Sequence, residues 1–137
     1  MKRVVVTGIG GLCSLGPDWK TVRDGLLSGR SGVVTMPEWE EMGGLRTRLA
    51  APVQGFEIPA EWPRKKTRSM GRDSAMAAHA TGQAIAEAGL TGSPLLGDGS
   101  TGIAYGSTAG SPGALDDWAE RFYGQRSLSG IGANEYV

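Results

Sequence analysis

The chain has 137 residues, of which 14 are basic and 14 acidic, so its formal net charge is zero. This length fits one domain with a useful core, and the balanced charge gives no global argument for a nucleic-acid or membrane partner. The single cysteine, Cys13, excludes an internal disulfide framework and favours a reducing compartment. Because we find neither a signal-peptide pattern nor an apolar run of transmembrane length, we expect a cytoplasmic protein.

The first predicted element is a buried β-strand at Val4–Thr7, where apolar β-branched residues form a continuous run. A glycine-rich turn follows the strand. Pro17 suits the first turn of a helix. We expect that helix to end at about Leu27, because Gly29 can stop it.

Residues 34–66 hold four of the chain's seven prolines and are predicted to form an irregular excursion with a short extended piece at Leu49–Val53. An alanine-rich helix is then predicted, which begins at about Thr67 or Asp73 and ends at Ala88. Its small side chains indicate a helix buried within a layered fold, close to neighbouring backbone.

The last predicted elements are a second buried strand at Thr101–Tyr105 and a third helix at Pro112–Phe122. Strands that alternate with helices predict an α/β fold. Two or three strands cannot form a satisfied sheet with helices on both faces. We therefore expect residues 1–137 to be the first third of a larger α/β domain.

The glycine-rich turn could also indicate a dinucleotide site. Gly8 and Gly10 match the first two positions of the G-x-G-x-x-G fingerprint, but the third falls on Cys13. The acidic residue expected about 20 positions further on is missing, since residues 33–35 are Val-Val-Thr. The predicted helix opens only at Pro17, too late to hold a phosphate beside the first turn. The spacing therefore predicts no nicotinamide cofactor.

Four segments, taken in order, resemble the β-ketoacyl-acyl-carrier-protein synthases of the thiolase superfamily, and of these the elongating, synthase II-like enzymes. The segments are RVVVTGIG with a later Leu-Gly at residues 3–16, LLSGRSGV at 26–33, the Arg-Met segment and helix at 68–90, and GIAYGSTAG at 102–110. The resemblance implies that residues 1–137 are the N-terminal portion of a thiolase-like layered α-β-α-β-α fold that is incomplete on its own.

The resemblance implies a parent enzyme, an acyltransferase, that joins acyl and malonyl thioesters by decarboxylating Claisen condensation in fatty-acid or polyketide synthesis. It implies no cofactor and no metal. The family's catalytic cysteine and histidines fall beyond Val137, so we expect no catalytic residue here, with Cys13 structural and His79 packed in its helix. Two alternatives stay open: a non-catalytic α/β partner resembling a chain-length factor, and a nucleotide-binding module.

A basic cluster precedes the alanine-rich helix. Charge runs are usually solvated, so a helix entrance facing water is one interpretation. Basic charge at a helix start opposes the helix dipole, which favours another purpose. The resemblance implies that this segment docks the acyl carrier protein through Lys65, Lys66, Arg68 and Arg72.

The segment after the second predicted strand contains Ser107 and Thr108. Its residue types alone indicate a turn between the predicted strand and the helix that follows. The resemblance implies that it borders the acyl pocket and the two-fold interface of a homodimeric parent protein. Tyr136 takes an aromatic place that, in the family, lines the partner subunit's pocket.

Overall fold

The computed structural model describes residues 3–127, 129 and 130. Within these residues the α-helices are α1 at Trp19–Leu27, α2 at Arg64–Thr67, α3 at Arg72–Glu87 and α4 at Pro112–Ala119. Two short strands, β1 at Val34–Thr35 and β2 at Leu49–Ala50, form an antiparallel pair. Single 3₁₀ turns lie at Pro37–Trp39 and Pro94–Leu96, and a π-helical turn at Glu120–Gly124 follows α4.

Local capping chemistry sets both ends of α1. The Asp18 carboxylate accepts the backbone N–H of Thr21 at 2.8 Å, and this hydrogen bond lowers the pKa of the Asp18 carboxyl. Pro17 therefore precedes the cap, and the helix begins two residues later than predicted. At the far end Gly29 adopts φ 70°, and the N–H groups that follow the helix bond back to its last turn. The predicted stop at Gly29 is confirmed.

The alanine-rich helix α3 is the longest described element. It begins at Arg72, close to the later of the two predicted starts, because the chain preceding it forms the separate turn α2. Gly89, with φ 69°, ends it in the same way that Gly29 ends α1. Ala75 is its one fully buried residue among those described, so this part of the domain does not by itself supply the layers predicted to cover the helix.

The two predicted strands are not formed in the described structure. Val4–Thr7 and Thr101–Tyr105 pair with no other segment there, and the described residues do not bury them: Val4 is 96% and Ile103 92% exposed. A strand exists only when a neighbour takes its N–H and C=O groups. Thr7 and residues 101–103 line, together with residues of α3, an apolar groove of about 440 Å³.

The excursion over residues 34–66 contains the β1–β2 pair, and of the extended piece expected at Leu49–Val53 only Leu49–Ala50 forms a strand, as β2. Arg48 holds the loop between the strands, because its guanidinium donates to the carbonyls of Trp39 and Glu40 at 3.3 and 3.0 Å. These two bonds join the end of the loop between β1 and β2 to its first half.

The third predicted helix is confirmed over Pro112–Phe122, although its last turn is π-helical rather than α-helical. Trp118 and Phe122 stack there with their ring centroids 5.0 Å apart. Among the described residues, we find no helix both long enough and apolar enough to cross a membrane.

Candidate functional site

The glycine-rich turn lies directly on the backbone of α3. A Cβ built on Gly8 would come within 2.9 Å of the Ala88 nitrogen, and one built on Gly10 within 2.8 Å of the Ala84 nitrogen. Such distances are shorter than real Cβ contacts. Gly8 and Gly10 therefore allow the turn to pack closely on α3. The backbone of α3 occupies the space that their side chains would take.

Two side chains of α3 take the N–H groups of this turn. The Glu87 carboxylate accepts from Ile9, and the Gln83 Oε1 atom accepts from Gly11 at 3.1 Å. The two acceptors are four residues apart on α3, and the two donors are two residues apart in the turn. These spacings match, since four residues of helix rise about 6 Å and two residues of extended chain span about 6.6 Å. Donors that would cradle a phosphate are thus occupied, and the Glu87 carboxylate would repel an anion. Sequence reasoning missed this pair, although its four-residue spacing was a visible signal.

Cys13 lies in a tight turn in which its N–H and C=O groups both bond to Gly16 at 3.0 Å. The thiol is partly buried, and its sulfur accepts the N–H of Leu15 at 3.4 Å. It lines a cavity of about 390 Å³ together with Phe56 and His79. Among the described residues, no hydrogen bond joins the Cys13 thiol to His79, so the turn shows no activated nucleophile.

His79 is a packing residue, as predicted. Its ring meets the edge of Phe56, with centroids 5.6 Å apart. The amide of Gln83 is oriented by its bond from Gly11 and by a second bond from its Nε2 atom to the Pro17 carbonyl at 2.9 Å. That orientation points the amide donor at His79 Nε2, 3.1 Å away, which makes this ring nitrogen an acceptor.

No group of three or more metal-ligating side chains comes together in the described part of the chain. Nothing in the geometry of Cys13, Glu57 or His79 therefore assembles a metal centre there.

Four basic residues lie together before α3. We call Arg64, Lys65, Lys66 and Arg68 the basic surface. All four residues are exposed, on α2 and immediately after it. In the described residues, the ion pair found within 4.0 Å joins Arg23 to Asp24, so no carboxylate there neutralises the basic surface. Four exposed cations within five residues give this surface a concentrated positive charge.

Arg72 is placed differently from the rest of the predicted docking set. Its guanidinium donates to the Val53 carbonyl at 2.7 Å and to the Phe56 carbonyl at 3.2 Å, and it lies 5.7 Å from the centroid of the Phe56 ring. Arg72 thus joins residues 53–56 of the excursion to the start of α3.

Ser107 and Thr108 are exposed on the segment that leads into α4. The Ser107 hydroxyl accepts the N–H of Gly110 at 3.0 Å, and Gly110 has φ 64°, so this segment is a closed turn. Tyr136 lies outside the described residues.

The chain matches the family profile described as "Beta-ketoacyl synthase, N-terminal domain" over residues 1–133. It belongs to the β-ketoacyl synthase family. It is 33% identical over 132 residues to 3-oxoacyl-[acyl-carrier-protein] synthase 1 of Escherichia coli K12, a match that covers 96% of this chain and 32% of the relative. It is also 33% identical over 135 residues to nodulation protein E of Rhizobium leguminosarum bv. trifolii, with 95% and 31% covered.

The same fold occurs in a crystal structure of a β-ketoacyl synthase from Burkholderia phymatum STM815. The two are 45% identical, with a TM-score of 0.84, over 100% of this chain and 33% of the other. This synthase-family chain therefore has the fold of the N-terminal part of a thiolase-like α/β domain, as predicted. It spans about a third of the length of the curated relatives it matches.

Proposed function

We propose that this chain supplies the carrier-docking part of a 3-oxoacyl-[acyl-carrier-protein] synthase, an acyltransferase that extends an acyl chain by decarboxylating condensation. The observation that carries the proposal is the basic surface, whose four exposed cations have no carboxylate within 4.0 Å in the described structure. Relatives that bear the synthase name match nearly the whole chain, which supports the same conclusion.

The basic surface acts by steering and by charge complementarity. Exposed charges of one sign raise the encounter rate with an oppositely charged partner and fix its approach, and salt screens the effect. The acidic partner is acyl carrier protein. Lys65, Lys66 and Arg68 contact its carboxylates, and Arg72 holds the surface in register through the Val53 and Phe56 carbonyls.

The condensation itself takes place on residues outside this chain. An acyl group is carried on a cysteine thiol, malonyl carrier protein loses carbon dioxide, and the carbanion attacks the thioester. Cys13 is not that thiol, because its sulfur sits in a tight turn with no base bonded to it in the described structure. Residues 1–137 alone are therefore inactive.

The rest of a synthase domain also explains the exposed apolar segments. Val4–Thr7 and Thr101–Tyr105 are rich in the β-branched and aromatic residues typical of strands, and Thr7 and residues 101–103 line an apolar groove. Patches of this kind mark surfaces that are covered in the assembled protein. We place the synthase in the cytoplasm as a homodimer, with Ser107, Thr108 and Tyr136 at its interface and beside the acyl pocket.

The full-length protein that carries this sequence should release carbon dioxide from malonyl-acyl carrier protein when an acyl thioester of acyl carrier protein is supplied as the acyl donor. Replacing Cys13 by alanine should leave the turnover number within about twofold of the parent protein, because the variant removes no reacting atom. Radiolabelled carbon dioxide release measures both results, and Cys13→Ser is the matched control for side-chain size. Loss of the activity in a folded Cys13→Ala protein would make Cys13 the nucleophile, and absence of activity from the parent protein would refute the proposed function.

A further inference from the structure

The start of α3 is joined to the start of α4 at one packed point. The Ser111 hydroxyl, which immediately precedes α4, donates to the Asp73 carboxylate in the first turn of α3. A side chain at Gly71 would overlap the Ser111 side chain down to its Cβ atom, which favours glycine there. This packing gives a physical reason for a glycine between the basic surface and α3.

The bond from Ser111 also decides where a negative charge is held. Asp73 is the acidic residue of the first turn of α3, and it follows Arg68 by five positions and Arg72 by one. The Arg72 guanidinium is bonded to the Val53 and Phe56 carbonyls, so Arg68 is the nearest cation along the chain that the Asp73 carboxylate could attract. In the described structure the carboxylate pairs with neither guanidinium, since no such contact lies within 4.0 Å.

We propose that Ser111 is a positioning residue for carrier docking, because its hydroxyl holds the Asp73 carboxylate away from the basic surface and leaves those cations free for the carrier's acidic groups. The inference rests on the proposed docking function and adds a residue that touches neither the carrier nor the acyl chain. Without the hydroxyl, the Asp73 carboxylate turns toward Arg68 and competes with the carrier.

The size of the effect follows from the exposure of the cations. An exposed ion pair changes an equilibrium by about two- to fivefold at low ionic strength. Salt removes most of this competition, because the Debye length falls to about 3 Å at 1 M. We therefore expect Ser111→Ala to weaken carrier binding about two- to fivefold in low salt and hardly at all in high salt.

The test is a double-mutant cycle in the full-length protein, with holo acyl carrier protein titrated by calorimetry at low and high salt. The variants are Ser111→Ala, Asp73→Asn and the two combined; asparagine keeps an oxygen that accepts from Ser111 but carries no charge. Ser111→Ala should weaken binding when residue 73 is aspartate and have no effect when it is asparagine. Ser111→Thr, which keeps the hydroxyl, should bind as the parent protein does.

A merely structural role for Ser111 predicts a different pattern. Ser111→Ala would then weaken binding equally with and without the Asp73→Asn change and at both salt concentrations, in step with a lower unfolding midpoint. This result would overturn the inference while leaving docking intact. If the parent protein binds no carrier at low salt, the proposed docking function fails, and the inference fails with it.

Discussion

Replacing Gly10 by alanine should destabilise the protein by about 3 kcal/mol or more, or prevent it from folding. The added methyl group would come within 2.8 Å of the Ala84 nitrogen and overlap the backbone of α3 at Ala80. Helix backbone cannot move aside as a flexible side chain can, so the turn must lift off α3 and lose its bonds to Gln83 and Glu87. Urea unfolding of the full-length protein measures the loss.

Gly11→Ala is the matched control for this change. A Cβ at Gly11 would meet nothing within 4 Å, and this glycine is not among those with positive φ. We expect its free energy of unfolding to stay within about 1 kcal/mol of the parent protein. If Gly10→Ala is as well tolerated as Gly11→Ala, the turn does not pack on α3 as described.

Reversing two charges of the basic surface, with Lys65→Glu and Arg68→Glu together, should weaken binding of acyl carrier protein about tenfold or more at low salt. Each exposed pair contributes only about 0.2–1 kcal/mol, so either single reversal should be modest and the double one clearly larger. At about 0.5 M salt the difference should largely disappear, because surface charges are screened. Calorimetric titration at the two salt concentrations gives both affinities.

The control for charge alone is the pair Lys20→Glu and Arg23→Glu, which changes the net charge by the same amount on the exposed face of α1. This control should bind carrier nearly as the parent protein does. Equal losses in the two double variants would show that net charge matters and the position of the basic surface does not. An unchanged affinity after reversal of Lys65 and Arg68 would leave that surface as a solvated helix entrance.

The helices were predictable because their signals are local. Gly29 and Gly89 adopt the left-handed conformation that ends a helix, and each lies within two residues of the predicted helix end. The strands were not predictable in the same way. Val4–Thr7 has the composition of a buried strand, but a strand forms only with a partner, and the described residues supply none.

The site shows the same division between local and distant information. The sequence placed the basic residues together beside a helix start, and the structure leaves all five of them, Arg72 included, exposed. It could not show that Arg72 reaches the carbonyls of Val53 and Phe56, or that Ser111 bonds to Asp73, because these contacts join residues 16 to 38 positions apart. Such pairings depend on how the elements pack.

The two glycines of the first turn show how one pattern can indicate the wrong chemistry. The spacing of Gly8 and Gly10 fits a phosphate turn, and the missing third glycine was the reason to doubt it. The structure supplies the positive reason for both residues, since each faces the backbone of α3. An alanine stripe on a nearby helix is the sequence signal that accompanies such packing, at Ala80, Ala84 and Ala88.

The most direct measurement is a calorimetric comparison of the affinity for acyl carrier protein with the affinity for a dinucleotide. Holo acyl carrier protein and, separately, NADPH are titrated into the full-length protein at low salt. A carrier-docking synthase domain should bind the carrier with an affinity that falls as salt rises, and it should give no heat with the dinucleotide. Micromolar binding of NADPH together with no binding of the carrier would contradict this account and favour a nucleotide-binding module.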